Sequence, residues 1–167
     1  MTQRAMRADV EMRSATSADG AALQKLVTDA SAGTPYHELP AYFLRLALAA
    51  PSEESRAVIA VQNGAVVGCV LYGIVAGAIG TGRIHFVAVA VGSRRSGIAT
   101  RLCGAAADQL SARAARSIIV ELPDDRAVGP GRALLESCAF TEVARVPDYY
   151  RDGVALVVLQ RSVAPVE

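Results

Sequence analysis

Residues 83–110 read RIHFVAVAVGSRRSGIATRLCGAAADQL, and this stretch decides the fold. The run from Ile84 to Val91 is apolar and rich in β-branched residues, which indicates a buried strand. A Gly92-Ser93 break, a basic turn and a helix-period pattern from about Gly97 to Ala115 follow it. This order brings backbone N–H groups and the positive end of a helix dipole to one turn. The sequence therefore predicts a phosphate-bearing ligand at Arg94 to Thr100; the alternative is a solvated basic turn that only caps the helix.

The length of 167 residues and the composition fit one domain with a single core. Hydrophobic residues make up 52% of the chain and charged residues 20%, which excludes a disordered chain. A net charge of +1 gives no reason to expect a nucleic-acid or membrane partner. Cys69, Cys103 and Cys138 form no CxxC or Cys/His cluster, so we expect neither a disulfide framework nor a metal site. The cytoplasm is the expected compartment.

The domain is expected over residues 10–162, between a flexible leader at 1–9 and a tail at 163–167. Ala57 to Gly82 carries no charge and is in principle long enough to span a bilayer. However, it contains Asn63-Gly64, which is a hairpin-turn signal, and several further glycines. Two adjacent buried strands explain the stretch better than a transmembrane helix, which is the weaker alternative.

The hydrophobic periodicity predicts alternating strands and helices. Strands are expected at Val10 to Ala15, Arg56 to Gln62, Ala65 to Val75, Ile84 to Val91, Ser117 to Leu122, Thr141 to Val146 and Val154 to Arg161, and helices at about Ala21 to Ala30, Leu39 to Ala50, Gly97 to Ala115 and Pro130 to Cys138. The strand–helix–strand order around the third helix implies a parallel crossover. The fold class is α/β, with a mixed, mostly antiparallel sheet and helices on both faces.

This element order, together with the motif Arg94-Arg95-Ser96-Gly97-Ile98-Ala99, resembles the GCN5-related N-acetyltransferase (GNAT) superfamily. The family's signature is Arg/Gln-x-x-Gly-x-Gly/Ala between the fourth strand and the third helix. The resemblance implies that acetyl-CoA is the co-substrate, with its pyrophosphate on the turn formed by Arg94, Arg95, Ser96, Gly97, Ile98, Ala99 and Thr100. It also implies a splay between strands four and five, where backbone groups of Val89, Ala90 and Val91 would bind the pantetheine arm and the thioester carbonyl.

The family's usual base is absent, because Arg83 stands where many relatives carry a glutamate. His85 aligns with a catalytic histidine of arylalkylamine N-acetyltransferases and is the candidate base; the alternative is a histidine held in the sheet with no proton role. Simple strand alternation predicts that Arg83, His85, Val87, Val89 and Val91 share one face. Glu121 on the fifth strand is a second candidate, either to orient the acceptor or to act as base through water.

The family's usual acid, a tyrosine on the last helix, is replaced by Leu135. Tyr150 or Tyr149 is the candidate substitute, with a weak preference for Tyr150; the alternative is an aromatic pair that packs the hairpin. Tyr36, His37 and Glu38 follow the first helix, in the region that lines the acceptor pocket in this family, and are candidates for substrate binding.

The resemblance implies an N-acetyltransferase that moves an acetyl or small acyl group to a small-molecule or peptide amine by direct attack in a ternary complex. The rival is a catalytically inactive acyl-CoA-binding module, favoured by the two missing catalytic residues. A homodimer is expected by resemblance only, and the sequence leaves the acceptor open.

Overall fold

The computed structural model describes residues 9–163, so the rest of the predicted leader and tail, residues 1–8 and 164–167, lies outside the described residues. Seven strands form one sheet in the order β1-β2-β3-β4-β5-β7-β6. The strands are β1 (Val10–Ser14), β2 (Arg56–Gln62), β3 (Ala65–Ile74), β4 (Thr81–Val89), β5 (Ser117–Pro123), β6 (Thr141–Arg151) and β7 (Val154–Ser162); the helices are α1 (Gly20–Ser31), α2 (Glu38–Ala49), α3 (Ile98–Ser111) and α4 (Gly129–Ser137). Among the strands of residues 9–163, only the β4–β5 pair is parallel, so the predicted mixed, mostly antiparallel α/β fold is confirmed.

Helices cover both faces of the sheet, because each helix buries one apolar stripe. Leu23 of α1 and Leu44 of α2 pack with Ile59 and Leu71 on one face. On the other face α3 forms a core with the strands, a cluster that includes Leu102, Leu110, Ile118, Val157 and Leu159. The central strands are thus buried between two layers of helices, which confirms the predicted arrangement, whereas the edge strand β6 is largely exposed.

Two strand boundaries differ from the prediction by three residues or more. β4 begins at Thr81 rather than Ile84, because a backbone bond of 2.9 Å from the Val75 N–H to the Thr81 carbonyl already closes the preceding turn. β6 runs to Arg151 rather than ending at Val146. The register shifts between Val146 and Arg151, where Asp148 has a φ of 52°, so turn residues here form an irregularity inside a strand.

A β-bulge interrupts the side-chain alternation of β4. Leu71 of β3 pairs with Phe86, and the next residue, Tyr72, pairs with Ile84, so His85 is the extra residue. Val87 and Val89 consequently pack toward α3, whereas Phe86 packs toward α1 and α2. His85 stacks against Phe43 of α2. The predicted common face for His85, Val87 and Val89 is therefore wrong.

The predicted splay between β4 and β5 is present. The two strands pair only from Thr81–Ser117 to Arg83–Ile119. Beyond these residues β4 continues alongside β3 to Val89, and β5 continues alongside β7 to Pro123. The sheet therefore opens at its centre and leaves one edge of β4 unpaired.

The uncharged stretch from Ala57 to Gly82 does not form a helix: it contributes to β2, forms β3 and reaches the start of β4. Within residues 9–163, no helix combines the length and the hydrophobicity needed to cross a bilayer.

Candidate active site

The gap between β4 and β5 opens into a cavity of about 1040 Å³. Its wall includes the gap-facing parts of both strands, the loop before α3, helix α4 and the segment between α1 and α2. Of the predicted cofactor residues, the wall contains Val89, Arg94, Arg95, Gly97, Ile98, Ala99 and Thr100. Ala90, Val91 and Ser96 do not line it, and the Val91 side chain is 75% exposed beyond the end of β4. The predicted anion turn thus faces the cavity through most of its members.

The loop before α3 has the conformation that an anion site needs. Gly97 has a φ of 82°, which a side chain would strain, and Arg95 has a φ of 59°. The first backbone bond of the helix runs from the Arg101 N–H to the Gly97 carbonyl at 3.1 Å. The amides at the start of α3 precede this bond, so they have no intrahelical acceptor and, with the helix dipole, favour a bound anion.

The unpaired edge of β4 presents backbone groups to the cavity. The Ala90 N–H donates to the Val67 carbonyl at 2.8 Å, so it points to β3 and away from the gap. Hydrogen-bonding directions alternate along a strand, which turns the N–H and C=O groups of Val87 and Val89 toward the gap. The Arg94 Nε donates to the Val89 carbonyl at 3.1 Å, in agreement with this direction. Val87 was not predicted, although alternation of the backbone bonds is a signal that could have found it.

Tyrosines from distant parts of the chain meet at the other end of the cavity. The rings of Tyr36 and Tyr150, both in the wall, lie edge to face with their centroids 5.4 Å apart. Tyr149 contacts Tyr150 at 5.0 Å, but its own side chain is 61% exposed and does not line the cavity. Burial, together with neighbouring Tyr149 and the negative charge of Glu121, raises the pKa of Tyr150, so its hydroxyl stays protonated at neutral pH.

Asp125, which sequence reasoning missed, holds this end of the cavity together. Its Oδ2 accepts a hydrogen bond of 2.8 Å from the Tyr36 hydroxyl and one of 2.7 Å from Arg151. Its Oδ1 accepts from the Ala127 N–H at 2.9 Å and caps the turn before α4. The α1–α2 segment, the end of β5 and the end of β6 are therefore tied at one carboxylate.

Glu121 and Arg83 form an ion pair where β4 and β5 diverge. Arg83 is the last β4 residue paired with β5, and its Nη2 lies 3.0 Å from Oε1 of Glu121. The side chains are 29% and 38% exposed, respectively. Glu121 lines the large cavity, whereas Arg83 lines a second cavity of about 490 Å³ beside α2. At this point of the sheet the carboxylate thus comes from β5 and the guanidinium from β4.

His85 lies in the wall of the second cavity and not of the first. Its ring stacks on Phe43 with centroids 3.7 Å apart, and its Nε2 lies 3.4 Å from the Glu54 carbonyl oxygen. Burial, and to a lesser extent the charge of Arg83, lowers the pKa of His85 to about 4. The imidazole is therefore neutral at physiological pH.

The remaining candidates are divided between the cavity and the rest of the domain. Glu38 lines the large cavity beside Tyr36, but His37 does not and instead contacts the Thr34 carbonyl through Nδ1 at 3.1 Å.

Cys69, Cys103 and Cys138 are buried, and burial raises the pKa of the first two thiols to about 12. Within residues 9–163, no three His, Cys, Asp or Glu side chains come together as a metal site would require.

Comparison with known proteins identifies relatives of this arrangement. Solved structures with the same fold include a protein described as a GNAT-family acetyltransferase from Desulfovibrio desulfuricans, which is 21% identical with a TM-score of 0.84 over 93% of this chain and 100% of that one. The ribosomal-protein-S18-alanine N-acetyltransferase of Escherichia coli is 17% identical, with a TM-score of 0.74 over 95% and 97% of the two chains. An aminoglycoside 6'-N-acetyltransferase complexed with coenzyme A is also 17% identical, with a TM-score of 0.74 over 89% and 92%.

Comparison with curated protein sequences finds no significant match. The family model described as Acetyltransferase (GNAT) family matches residues 22–140, well over half of the 167 residues. This range includes β4, its unpaired edge and the whole anion loop. The chain therefore belongs to the GNAT acetyltransferase family.

Proposed function

We propose that this protein is an acetyl-CoA-dependent N-acetyltransferase in which the acceptor amine attacks the thioester directly in a ternary complex. The observation that carries the proposal is a continuous cavity through the β4–β5 gap. An anion loop lies at one end of this cavity, and Glu121 with Tyr150 lies at the other. Direct transfer needs both reactants side by side in one site, and a single cavity with room for both supports it.

The residues present fit coenzyme A. The amides at the start of α3, the small residues Gly97 and Ala99 and the side chains of Arg94 and Arg95 suit a pyrophosphate. The gap-facing backbone groups of Val87 and Val89 suit an extended, amide-containing arm, because they would pair with it as a neighbouring strand would. A structurally similar aminoglycoside acetyltransferase has been solved with coenzyme A. When bound, acetyl-CoA supplies an acetyl group activated as a thioester.

Glu121 is the better candidate for the base. Its carboxylate lines the cavity and can accept the proton of an incoming ammonium, directly or through water. His85 faces the second cavity, and its low pKa makes it a weak base. We therefore assign proton removal to Glu121 and a shaping role in the acceptor region to His85.

Tyr150 and the β4 amides complete the chemistry. An N–H of Val87 or Val89 would stabilise the negative charge that develops on the acetyl oxygen. As the C–N bond forms and the C–S bond breaks, the hydroxyl of Tyr150 would protonate the leaving thiolate. Its raised pKa keeps that proton in place until it is needed. The products are the N-acetyl amine and free coenzyme A.

Release of thiol from acetyl-CoA, measured with a panel of primary amines, tests the proposal. Glu121→Gln and Tyr150→Phe should each lower kcat by about 10²-fold, the usual size of a proton-transfer contribution. Acetyl-CoA affinity, measured by calorimetry, should stay within about twofold in both variants, because the anion loop is untouched. Full activity in both variants would contradict the assigned roles.

The rival function, an inactive acyl-CoA-binding module, has support of its own. Leu135, which stands where the family has its tyrosine, is buried with only 6% exposure, and Glu121 is already engaged by Arg83. Acetyl-CoA binding without thiol release for any amine would favour this rival.

A further inference from the structure

The Arg83–Glu121 ion pair limits what the acceptor can be. If the ammonium of an acceptor binds Glu121, it competes with Arg83 for the same carboxylate. A simple amine would then leave a partly buried guanidinium without its partner and beside a second positive charge. Both effects raise the free energy of the complex. The guanidinium loses its counter-charge while it stays partly desolvated, and it is repelled by the ammonium.

An acceptor that also carries a carboxylate avoids this cost. In an α-amino acid a single carbon separates the ammonium from the carboxylate, so the two charges are as close as those of Arg83 and Glu121. The two pairs can then align head to tail, with the ammonium on Glu121 and the carboxylate on Arg83. Arginine suits the second contact, because its planar fork binds carboxylates in a bidentate manner.

The other groups near the ion pair do not compete for these charges. Arg83 and His85 lie in the wall of the second cavity, Glu121 and Tyr150 lie in the wall of the first, and the Arg83–Glu121 ion pair joins the two sets. His85 and Tyr150 are both neutral at physiological pH. Of these four side chains, Arg83 and Glu121 therefore carry the charges.

The second cavity provides a place for the acceptor's side chain. Arg83 and His85 lie in its wall, and apolar or aromatic residues of α2 and the end of β3 supply most of the rest: Tyr42, Phe43, Leu46, Ile74, Val75 and Ala76. Its volume of about 490 Å³ lies within the range of small-molecule sites, roughly 300–1,000 Å³. Ala50, Ser52, Glu54 and Ser55 complete the wall, and its apolar part suits an apolar side chain.

We propose that the acceptor is a free α-amino acid with an apolar side chain, bound through its ammonium to Glu121, its carboxylate to Arg83 and its side chain in the second cavity. This inference rests on the proposed acetyltransferase function and goes beyond it by naming the class of acceptor. It separates this class from amines without a carboxylate and from peptide N-termini, whose α-carbonyl is an uncharged amide.

Matched acceptors test the inference with the full-length protein at saturating acetyl-CoA. Phenylalanine and leucine are compared with their amides and with phenethylamine and isoamylamine, which lack the carboxylate. At least one of the two amino acids should show a kcat/KM about tenfold above those of its amide and its amine, the scale expected when a charge contact in a partly exposed pair is lost. Calorimetry with coenzyme A present should show that this amino acid binds more tightly than its two analogues.

Arg83→Gln should abolish this preference, and Arg83→Lys should retain part of it. Arg113→Gln is the matched control, since Arg113 pairs with Glu53 and lines neither cavity. Unchanged acetyl-CoA affinity shows that a variant is folded. Equal use of amine and amino acid would overturn the inference while leaving the acetyltransferase function intact. Absence of amino-acid binding by calorimetry would overturn it even if no acceptor were turned over.

Discussion

Replacing Gly73 by alanine should destabilise the domain and disturb the second cavity. Gly73 lies in β3 directly beneath the segment that joins α2 to β2. A Cβ at this position would lie 2.0 Å from the Glu54 carbonyl oxygen and 2.2 Å from its carbon. These are backbone atoms, so no side-chain rotation can relieve the overlap, and the segment itself must move.

The expected loss in the free energy of unfolding follows from the contacts that this movement disrupts. Ordinary contact begins at 3.4 Å, so the Glu54 carbonyl must shift by more than 1 Å from its present position. The Ile74 N–H donates to the Glu53 carbonyl at 2.7 Å, and this bond would be lost or stretched. Overpacking costs about 1–3 kcal/mol and a hydrogen bond about 0.5–1.5 kcal/mol, so the free energy of unfolding should fall by about 2–4 kcal/mol.

Urea denaturation of Gly73→Ala beside Gly104→Ala measures this difference. Gly104 lies in α3, and a Cβ there meets no atom within 4 Å, so its substitution should be neutral or stabilise by up to about 1 kcal/mol. Because the Glu54 carbonyl contacts His85, Gly73→Ala should also raise the KM for the acceptor while leaving that for acetyl-CoA unchanged. A loss below about 0.5 kcal/mol would refute the reasoning from the close backbone contact.

Three further outcomes follow from single sites. His85→Gln should leave the shape of the pH dependence of kcat/KM unchanged above about pH 6, since a group whose pKa is about 4 is already neutral there; loss of an ionisation in this range would restore His85 as the base. Gly97→Ala should weaken acetyl-CoA binding about tenfold in calorimetry, because a side chain strains the φ of 82°; unchanged affinity would argue against the loop as the anion site. The bidentate bonds from Arg13 lower the pKa of Asp19, so its stabilising contribution is present above an unfolded pKa of about 3.9 and is lost as pH falls. The stability difference between wild type and Asp19→Ala should therefore shrink on acidification, and a pH-independent difference would contradict this.

The parts of the site that could be predicted from sequence depend on neighbours in the chain. The place and conformation of the loop before α3 are one such part, because the strand, the basic turn and Gly97 at a positive φ lie within a few residues of one another; its role as an anion site stays a prediction. The α/β fold was also predictable, since the periodicity of each element is a local property. The hairpin at Asn63-Gly64 joins β2 and β3 as the turn chemistry indicates, with φ of 51° and 77°.

The parts that were missed depend on contacts between distant segments. The bond between Tyr36 and Asp125 joins residues 89 positions apart, and no local pattern marks it. The bulge at His85 likewise depends on how Leu71 and Tyr72 of β3 pair with β4. Nothing in the apolar run around His85 distinguishes a bulged strand from a regular one, so alternation assigned this side chain to the wrong face.

Arg83, at the position where the resemblance implies a glutamate in many relatives, would change the charge that an acceptor meets. A lone glutamate on β4 presents one negative charge, which suits a cationic amine. Here a carboxylate is supplied by Glu121 from β5 and is paired with Arg83 at 3.0 Å, so the pair is neutral as a whole. Such a pair favours a zwitterion as its ligand. A zwitterion has no net charge, but it offers a positive group to the carboxylate and a negative group to the guanidinium at the same time. Under the proposed function, an arginine at this position of β4 would therefore favour a zwitterionic acceptor.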